Sequence, residues 1–155
     1  MHHRQELALA PIGRVRSPVR EPVDEDWGDV EAVIDVEPAL RPGLRGLEDF
    51  SHLVVVTYLH EASFDPERHL VRRPRGLNEM PEVGIFAQRA KDRPNSLGVT
   101  CVQLVAMVDE GVRVRGLDAI DGTPVLDLKP YYPHYDAAPD ARVPGWVDVL
   151  MRGYF

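Results

Sequence analysis

The sequence has little that would tie it to an oxidising compartment or to a membrane. It contains one cysteine, Cys101, so an internal disulfide bond is excluded. Its first residues, MHHRQELALAPIG, lack the apolar core of a signal peptide, and no apolar run reaches the length that spans a bilayer. We therefore expect a soluble, cytoplasmic protein that does not associate with a membrane.

Several common kinds of site are also missing. No glycine-rich phosphate motif follows a strand pattern and opens a helix, which argues against a Rossmann nucleotide-binding domain. The six histidines are scattered without metal-ligand spacing, so we expect no metal site. Cys101 lies in an apolar strand pattern, which favours a small core residue over a nucleophile. The formal net charge of −7 argues against a broad nucleic-acid groove but allows a local basic patch.

What is present indicates one β-rich domain. The 155 residues and an apolar fraction of 44% are enough to bury a single core. Fourteen prolines and twelve glycines predict many turns and short strands. The regular spacing of seven or eight strand patterns favours a mainly β fold, as an antiparallel barrel or sandwich. These patterns lie at 11–19, 30–36, 53–59, 69–75, 82–87, 99–108, 112–115 and 125–129.

Three of these patterns carry further expectations. The nearly continuous apolar run at 53–59 predicts a strand buried on both faces. The stretches 99–108 and 112–115 flank a turn signal and predict a β-hairpin. Helical spacing of apolar residues at 145–154 predicts a short helix packed on the body. We divide the chain into a lead-in at 1–10, a barrel domain at 11–136, and a linker with a helix at 137–155.

The stretch 84–98, GIFAQRAKDRPNSLG, predicts a structured loop between two strands that carries fixed positive charge. Arg89 and Arg93 suit a carboxylate or a phosphate, because the planar guanidinium forms two parallel charge-assisted hydrogen bonds. The alternative is an exposed turn with solvated charges.

Other polar or aromatic residues stand at positions typical of sites. His60 and Glu61 leave the apolar run at its end, either as site residues or as a plain strand exit. Trp27, in an acidic loop, is either an anchor onto the core or a lid over a ligand. Asp127 lies between two leucines, so we expect it to pair with Lys129 or with a loop arginine.

Four stretches together resemble a known family. They are PIGRVRSP at 11–18, GLEDFSHLVVV at 46–56, GIFAQRAKDRPNSLGVT at 84–100 and LDAIDGTPVLDLKPYYP at 117–133. In this order they resemble the TsaA/TrmO family, the tRNA methyltransferases that methylate threonylcarbamoyl-adenosine beside the anticodon. The resemblance implies a small antiparallel β-barrel of about seven strands that binds S-adenosylmethionine. It also implies a homodimer with the cofactor near or across the subunit interface, and a tRNA substrate.

The resemblance also assigns site residues by motif. The cofactor residues lie in four segments: the first loop, the end of the apolar run, the arginine-rich loop and the Asp-Gly-Thr turn. In this order they are Trp27 and Gly28, His60 and Glu61, Arg89 and Leu97, and Asp121, Gly122 and Thr123. Arg93 and Asn95 are assigned to the substrate. The chain departs from the usual FATRS-x-x-RPNPIG pattern, because Gln88, Ala90 and Ser96 replace the Thr, Ser and Pro.

The implied reaction is in-line attack of a nitrogen on the sulfonium methyl group, in which positioning supplies much of the rate. Arg89 is the candidate for the methionine carboxylate or a substrate phosphate, and Asp121 for the ribose hydroxyls or the cofactor amine. Asp127, Lys129 and Tyr131 are the catalytic candidates: the first two position the acceptor or form a structural pair, and Tyr131 shapes the substrate mouth. Two alternatives stay open: the same cofactor with a small-molecule or other RNA acceptor, and a non-catalytic barrel that binds or senses S-adenosylmethionine.

Overall fold

A computed structural model of the chain describes residues 4–155, so the first three residues of the expected lead-in lie outside the described residues. Its main body is a closed antiparallel barrel of six strands in the order β1-β2-β7-β6-β3-β8. The mainly β class is confirmed, and the barrel is found rather than the sandwich. Residues 4–155 form eight strands: β1 Gly13–Arg16, β2 Glu31–Val36, β3 His52–Tyr58, β4 Val71–Arg72, β5 Val83–Gly84, β6 Leu97–Val108, β7 Gly111–Arg115 and β8 Pro124–Pro130.

The short strands β4 and β5 form a separate two-stranded sheet. Both are much shorter than the patterns at 69–75 and 82–87 predicted. Asp65 caps a helical turn before β4, since its carboxylate accepts a hydrogen bond from the Glu67 amide. Pro74, which lacks an amide donor, begins a 3-10 turn directly after it. A further 3-10 turn at Ile85–Ala87 ends β5.

Helices in the described part of the chain are few and short. They are α1 Pro66–His69, α2 Pro133–Asp136 and α3 Gly145–Leu150, with 3-10 turns at Pro38–Leu44, Leu47–Asp49, Pro74–Gly76 and Ile85–Ala87. The helix expected at 145–154 is confirmed in its first six residues, and the chain then continues as turns. Within residues 4–155 we find no helix with the length and apolarity needed to cross a bilayer.

The core is the interior of the barrel, built from alternate residues of each strand. On β3, Leu53, Val55 and Thr57 are buried, whereas Val54 and Val56 on the outer face are half-buried. The expectation that this strand is buried on both faces is therefore wrong for the single chain. Twelve residues form the buried cluster: Val15, Ala32, Ile34, Val36, Leu53, Val55, Val102, Val112, Val114, Leu117, Ala119 and Val125.

The antiparallel pairing places three long connections at one end of the barrel. Strands β1, β3 and β7 end there, and β2, β6 and β8 begin there. We call this the loop end, and its connections the first loop (17–30), the second loop (59–96) and the third loop (116–123). The second loop contains the β4–β5 sheet, while the β6–β7 hairpin, which is confirmed, turns at the opposite end.

Candidate functional site

The loop end gathers every residue that the sequence assigned to the cofactor or the substrate. Trp27 and Gly28 lie on the first loop, and Asp121, Gly122 and Thr123 on the third. The second loop and the start of β6 carry the remainder, His60, Glu61, Arg89, Arg93, Asn95 and Leu97. These residues are up to about a hundred positions apart in sequence, and closure of the barrel brings them to one end.

The Asp121-Gly122 turn of the third loop is tied to the end of β1. The Asp121 amide donates to the Val19 carbonyl oxygen at 2.7 Å, and Asp121 Oδ1 accepts from the Ser17 amide at 3.0 Å. Gly122 has a φ of +83°, a conformation that favours glycine, so the expected tight turn is confirmed. Buried Thr123 donates its hydroxyl to the Ile120 carbonyl oxygen at 2.7 Å. These hydrogen bonds therefore hold the turn against the end of β1.

An open groove of about 410 Å³ runs from this turn along the outer face of β1 and β2. The charged side chains in it are already engaged. Arg16 lies 3.8 Å from Asp35 and 3.6 Å from Glu110, and Arg14 donates to the Gly122 carbonyl oxygen at 3.4 Å. The groove therefore gives the Asp121-Gly122 turn a solvent-accessible side that is lined by charged residues of both signs.

Arg89 in the second loop is exposed and points along the start of β6. Its Nη2 donates to the Val99 carbonyl oxygen at 2.6 Å, which fixes the direction of the side chain. Among residues 4–155, no carboxylate lies within ion-pair distance of it. A guanidinium has five N–H donors, so most of the fork remains available for an anion. Phe86, exposed over 80% of its surface, lies three residues before it.

The loop around Arg89 is held from inside. Arg93 Nη1 donates to the carbonyl oxygens of Gln88 at 2.9 Å and Ala90 at 3.1 Å. Gln88 itself is buried, and its amide nitrogen donates to the carbonyl oxygens of Arg72 at 3.2 Å and Val83 at 3.1 Å, one on each strand of the small sheet. The Gln88 departure from the family pattern therefore joins the loop to β4 and β5.

A second tie connects this loop to α1. Asp92 Oδ1 accepts from the Ser63 amide at 3.0 Å, and Asp92 Oδ2 lies 3.9 Å from Arg72 Nη1. Buried His69 directs Nε2 toward the same oxygen at 4.0 Å, while its Nδ1 accepts from the Asp65 amide. The loop is thus structured, as expected, and two of its charged residues serve its own conformation.

The exit of β3 lies beside the arginine-rich loop. The Leu59 amide donates to the Ser96 carbonyl oxygen at 2.8 Å, and the following residues, His60 and Glu61, are exposed. Asn95 is exposed as well, and its carbonyl oxygen accepts from the Leu97 amide at 2.8 Å. The exposed side chains of His60, Glu61 and Asn95 therefore lie where the end of β3 meets this loop.

Trp27 is an anchor rather than a lid. Its side chain is only 2% exposed, and its indole N–H donates to the Val23 carbonyl oxygen at 3.0 Å. The neighbouring Gly28 packs against the end of the chain. A Cβ added at Gly28 would lie 2.5 Å from the carbonyl carbon of Phe155, so packing alone requires glycine at this position.

The three catalytic candidates do not lie at the loop end. Lys129 Nζ is 2.9 Å from Asp127 Oδ2 on the outer face of β8, so Asp127 pairs with Lys129 and not with a loop arginine. The hydrogen bond and charge of Asp127 raise the pKa of the Lys129 ammonium. Tyr131 lies toward the opposite end, where its amide donates to the His52 carbonyl oxygen and the two rings meet edge to face.

The sequence did not reveal a polar cluster at the loop end. The carboxylate of Asp118 accepts hydrogen bonds from the hydroxyl groups of Thr100 and Tyr154. Burial, and then the charge of Asp118, raise the pKa of the Tyr154 phenol well above its usual value, so the phenol stays protonated and donates. The one signal in the sequence is the position of Asp118 among apolar residues, in LDAI, which indicates a carboxylate that needs a hydrogen-bond partner.

Two further expectations concern metals and the cysteine. Across the described part of the chain, no group of three or more His, Cys, Asp and Glu side chains could hold a metal ion. The expectation that Cys101 is a small core residue is wrong, because odd-numbered residues of β6 face outward and Cys101 is exposed. Partial burial, and then Asp136, raise the pKa of its thiol.

Comparison with known proteins gives a consistent result. A family model described as the tRNA-methyltransferase O N-terminal domain matches residues 17–137. A probable S-adenosyl-L-methionine-binding protein of Pyrococcus abyssi is 37% identical over 147 residues, which cover 92% of this chain and 77% of that protein. A protein of the same description from Methanothermobacter thermautotrophicus is 40% identical, with coverages of 85% and 95%.

Longer relatives match as well. The tRNA (adenine(37)-N6)-methyltransferase of Escherichia coli is 36% identical over 84% of this chain, but the match covers only 60% of that enzyme. A crystal structure of TrmO from Pseudomonas aeruginosa superposes with a TM-score of 0.74 at 31% identity, covering 94% of this chain and 64% of the other. This chain therefore spans less than two thirds of the length of both proteins.

Proposed function

Because this chain belongs to the TrmO family, whose N-terminal domain it matches over residues 17–137, we propose that it is an S-adenosylmethionine-dependent methyltransferase. Its acceptor in this proposal is N6 of threonylcarbamoyl-adenosine in the tRNA anticodon loop, and it works in the cytoplasm. The observation that carries the proposal is Arg89, an exposed arginine without a carboxylate partner among residues 4–155, held in direction by the Val99 carbonyl oxygen at the loop end.

The cofactor site combines the second and third loops. Arg89 binds the methionine carboxylate, because the donors of its fork that do not face Val99 match the two carboxylate oxygens. Asp121 uses Oδ1 for the Ser17 amide and offers Oδ2 to a ribose hydroxyl or to the cofactor amine. His60 and Glu61 border the same mouth. Exposed Asn95 contacts the substrate from the second loop, and Arg93 does so with the donors that its own loop leaves free.

A homodimer is part of the proposal. Near the loop end the outer face of β3 and β6 is apolar, with exposed fractions between 42% and 47% for Tyr58, Leu97 and Val99. Val105 and Met107 are also exposed and lie farther along β6, beyond the paired His52 and Gln103. A second copy on this face would bury that surface, which is the usual fate of a contiguous apolar patch. Arg89 reaches across Val99 at the edge of the face. The cofactor would then lie close to the subunit boundary.

The dimer also gives the residues of β8 a place in the reaction. In the strand register Asp127 lies beside Val56 and Lys129 beside Val54, at the border of the same apolar face. A second copy would therefore cover this border and enclose the ion pair. At this covered border, Asp127 and Lys129 position the acceptor. Tyr131 shapes the opening through which the acceptor enters the site.

The reaction is a single in-line displacement. The acceptor nitrogen forms a bond to the methyl carbon, and the bond from that carbon to the sulfonium sulfur breaks. The electron pair stays on sulfur and gives the neutral thioether, and the nitrogen then loses its proton to water. No strong base is required, so the protein contributes mainly alignment of the two reactants at about 3–3.5 Å.

The domain division proposed from the sequence fits this function. The barrel domain at 11–136 supplies all the assigned site residues, the lead-in at 1–10 supplies none, and 137–155 adds a linker and helix. The runner-up function keeps the cofactor but uses a small-molecule or other RNA acceptor, or has no acceptor at all. The net charge of −7 favours it, because a polyanionic tRNA is repelled by an acidic surface.

The test has two parts. Calorimetry of the purified protein with S-adenosylmethionine and with its demethylated product should give binding near micromolar Kd, about −8 kcal/mol. Transfer of labelled methyl to tRNA that lacks this methyl group, but not to free nucleoside, should follow. Arg89→Ala should abolish binding, whereas the matched control Arg113→Ala, an exposed arginine on β7, should bind normally. Binding without transfer to any tRNA would leave the runner-up as the function.

A further inference from the structure

Residues 151–155 dock on the first loop. The Asp26 amide donates to the Gly153 carbonyl oxygen and the Trp27 amide to the Tyr154 carbonyl oxygen, each at 2.8 Å. Asp26 has a φ of +63°, a left-handed conformation that is uncommon for a residue with a side chain. These two hydrogen bonds hold the first loop in that conformation, immediately beside buried Trp27.

The side chain of Tyr154 extends from this contact to the third loop. Its hydroxyl donates to Asp118, which also accepts from Thr100 on β6. Tyr154 is partly buried here, so an unpaired hydroxyl or carboxylate would lose hydration without compensation. The third loop is therefore coupled to residues 151–155 through a charge-assisted hydrogen bond.

The same ring contacts the second loop. The guanidinium carbon of Arg75 lies 5.6 Å from the Tyr154 ring centroid, within the range of a cation–π interaction. Arg75 Nε also lies 3.8 Å from Asp24 Oδ1 on the first loop. Arg75 has a φ of +54°, so its backbone is strained and needs such external contacts to persist.

The position of Arg75 is transmitted to Arg89 through the small sheet. Arg75 follows β4, β4 pairs with β5, and buried Gln88 hydrogen-bonds to one carbonyl oxygen on each strand. Gln88 directly precedes Arg89. A shift of the Tyr154 contact would therefore reach the arginine that we assign to the cofactor.

We propose that Tyr154 is a positioning residue that locks the three loops of the loop end to one another and so preorganises the cofactor site. The inference rests on the proposed function for the ligand, but Tyr154 itself lies outside the matched family domain, which ends at residue 137. Tyr154 is not a member of the buried barrel cluster. Its loss should loosen the loops while the barrel stays folded.

The experiment measures cofactor affinity and loop order in the same variants. Tyr154→Ala should raise the Kd for S-adenosylmethionine about tenfold or more, because only a fraction of the molecules then hold the competent loop arrangement. Tyr154→Phe keeps the ring under Arg75 and loses only the donor to Asp118, so it should fall between Tyr154→Ala and the wild type. Tyr135→Ala, at a tyrosine exposed over 84% of its surface, is the matched control.

The fluorescence of Trp27 measures how well the first loop is ordered. The sequence has two tryptophans, so a Trp146→Phe background leaves Trp27 as the only fluorophore of its kind. Acrylamide should quench Trp27 more strongly in Tyr154→Ala than in the parent, while far-ultraviolet circular dichroism of the barrel stays unchanged. All titrations are made well below each variant's melting temperature, so that a lower global stability cannot move the Kd.

The outcomes separate this inference from the proposed function. If the wild type binds the cofactor and folded Tyr154→Ala binds it equally well, the positioning role is wrong and the function stands. Unchanged quenching of Trp27 would also overturn the inference. If the wild type does not bind S-adenosylmethionine, the proposed function is wrong, and the inference about the cofactor site is wrong as well. If Tyr154→Ala does not fold, Tyr154→Phe decides: an unchanged Kd in that variant rejects the role.

Discussion

Arg93 donates a hydrogen bond of 2.9 Å from its guanidinium to the carbonyl oxygen of Gln88, five residues earlier in the same loop. The same nitrogen reaches the Ala90 carbonyl oxygen, so Arg93 closes the loop around Arg89 from within. Two arginines four residues apart thus have different surroundings. Arg93 is half-buried and donates to two carbonyl oxygens of its own loop, whereas Arg89 is exposed and donates to one carbonyl oxygen, that of Val99 on β6. This difference can be measured.

Arg93→Ala should destabilise the protein, because two carbonyl oxygens lose a charged donor. We expect a loss of about 1–3 kcal/mol in the free energy of unfolding, measured by urea denaturation. Arg89→Ala should leave that free energy within about 0.5 kcal/mol of the wild type, as an exposed substitution usually does. Equal stability losses in the two variants would contradict this division of roles.

Gly28→Ala should disturb the docking of residues 151–155, since the added methyl group would overlap the Phe155 backbone. We expect a loss of about 1–3 kcal/mol in unfolding free energy, as for other overpacked sites. Trp27 fluorescence should shift with it, because its amide bonds the neighbouring Tyr154 carbonyl oxygen. Gly43→Ala, where an added Cβ meets nothing within 4 Å, is the matched control.

Tyr154 makes stability depend on alkaline pH. The unfolded chain ionises this phenol near pH 10, whereas burial and Asp118 raise the pKa in the folded chain. Above pH 10 the unfolded state therefore binds fewer protons than the folded state, and stability falls as pH rises. The stability advantage of the wild type over Tyr154→Phe should be constant near neutral pH and shrink above about pH 10.

That comparison is made by urea denaturation in parallel at each pH, so that other alkaline titrations affect both proteins alike. Arg75, which faces the ring, opposes the shift, and Asp24 adds to it in a minor way. A difference between the two proteins that does not change up to the alkaline limit would show that the phenol is not held protonated.

Val99→Asp should dissociate the proposed homodimer. It places a charge on the apolar outer face of β3 and β6, where a second copy would have to desolvate it. Light scattering coupled to size-exclusion chromatography should show a dimer for the wild type and a monomer for the variant. Leu40→Asp changes an exposed leucine in the 3-10 turn at the opposite barrel end and should remain dimeric. A monomeric wild type would reject the dimer outright.

Lys129→Met separates the two roles left open for the Asp127 ion pair. Both side chains are exposed in the single chain, so in the monomeric Val99→Asp background this substitution should leave the thermal stability unchanged. If the pair positions the acceptor, kcat should fall by more than tenfold while the Kd for S-adenosylmethionine stays unchanged. A kcat equal to that of the wild type would assign the pair to the surface alone.

The local sequence pattern predicted many of the strands and turns of this protein correctly. Alternating β-branched residues indicated the strands, and the Asp121-Gly122 turn followed from its residue types, because side-chain period and backbone permissiveness act over a few neighbouring residues. The wrong predictions include those for Cys101, for the outer face of β3 and for the lengths of β4 and β5. An apolar run does not reveal which of its two faces the rest of the protein covers. In the single chain, Cys101 and the outward-facing residues of β3, Val54 and Val56, all lie on the outside of the barrel.

Strand periodicity, tight turns and the family-like motifs with their arginines follow from the order of the residues. Three other features depend on the folded chain: distant loops share one barrel end, Asp127 pairs with Lys129, and Tyr154 meets Asp118 across 36 positions. The physical reason is the range of the interactions. Local propensities act within a turn or a strand, whereas side-chain partners between loops are set by strand order and by closure of the barrel.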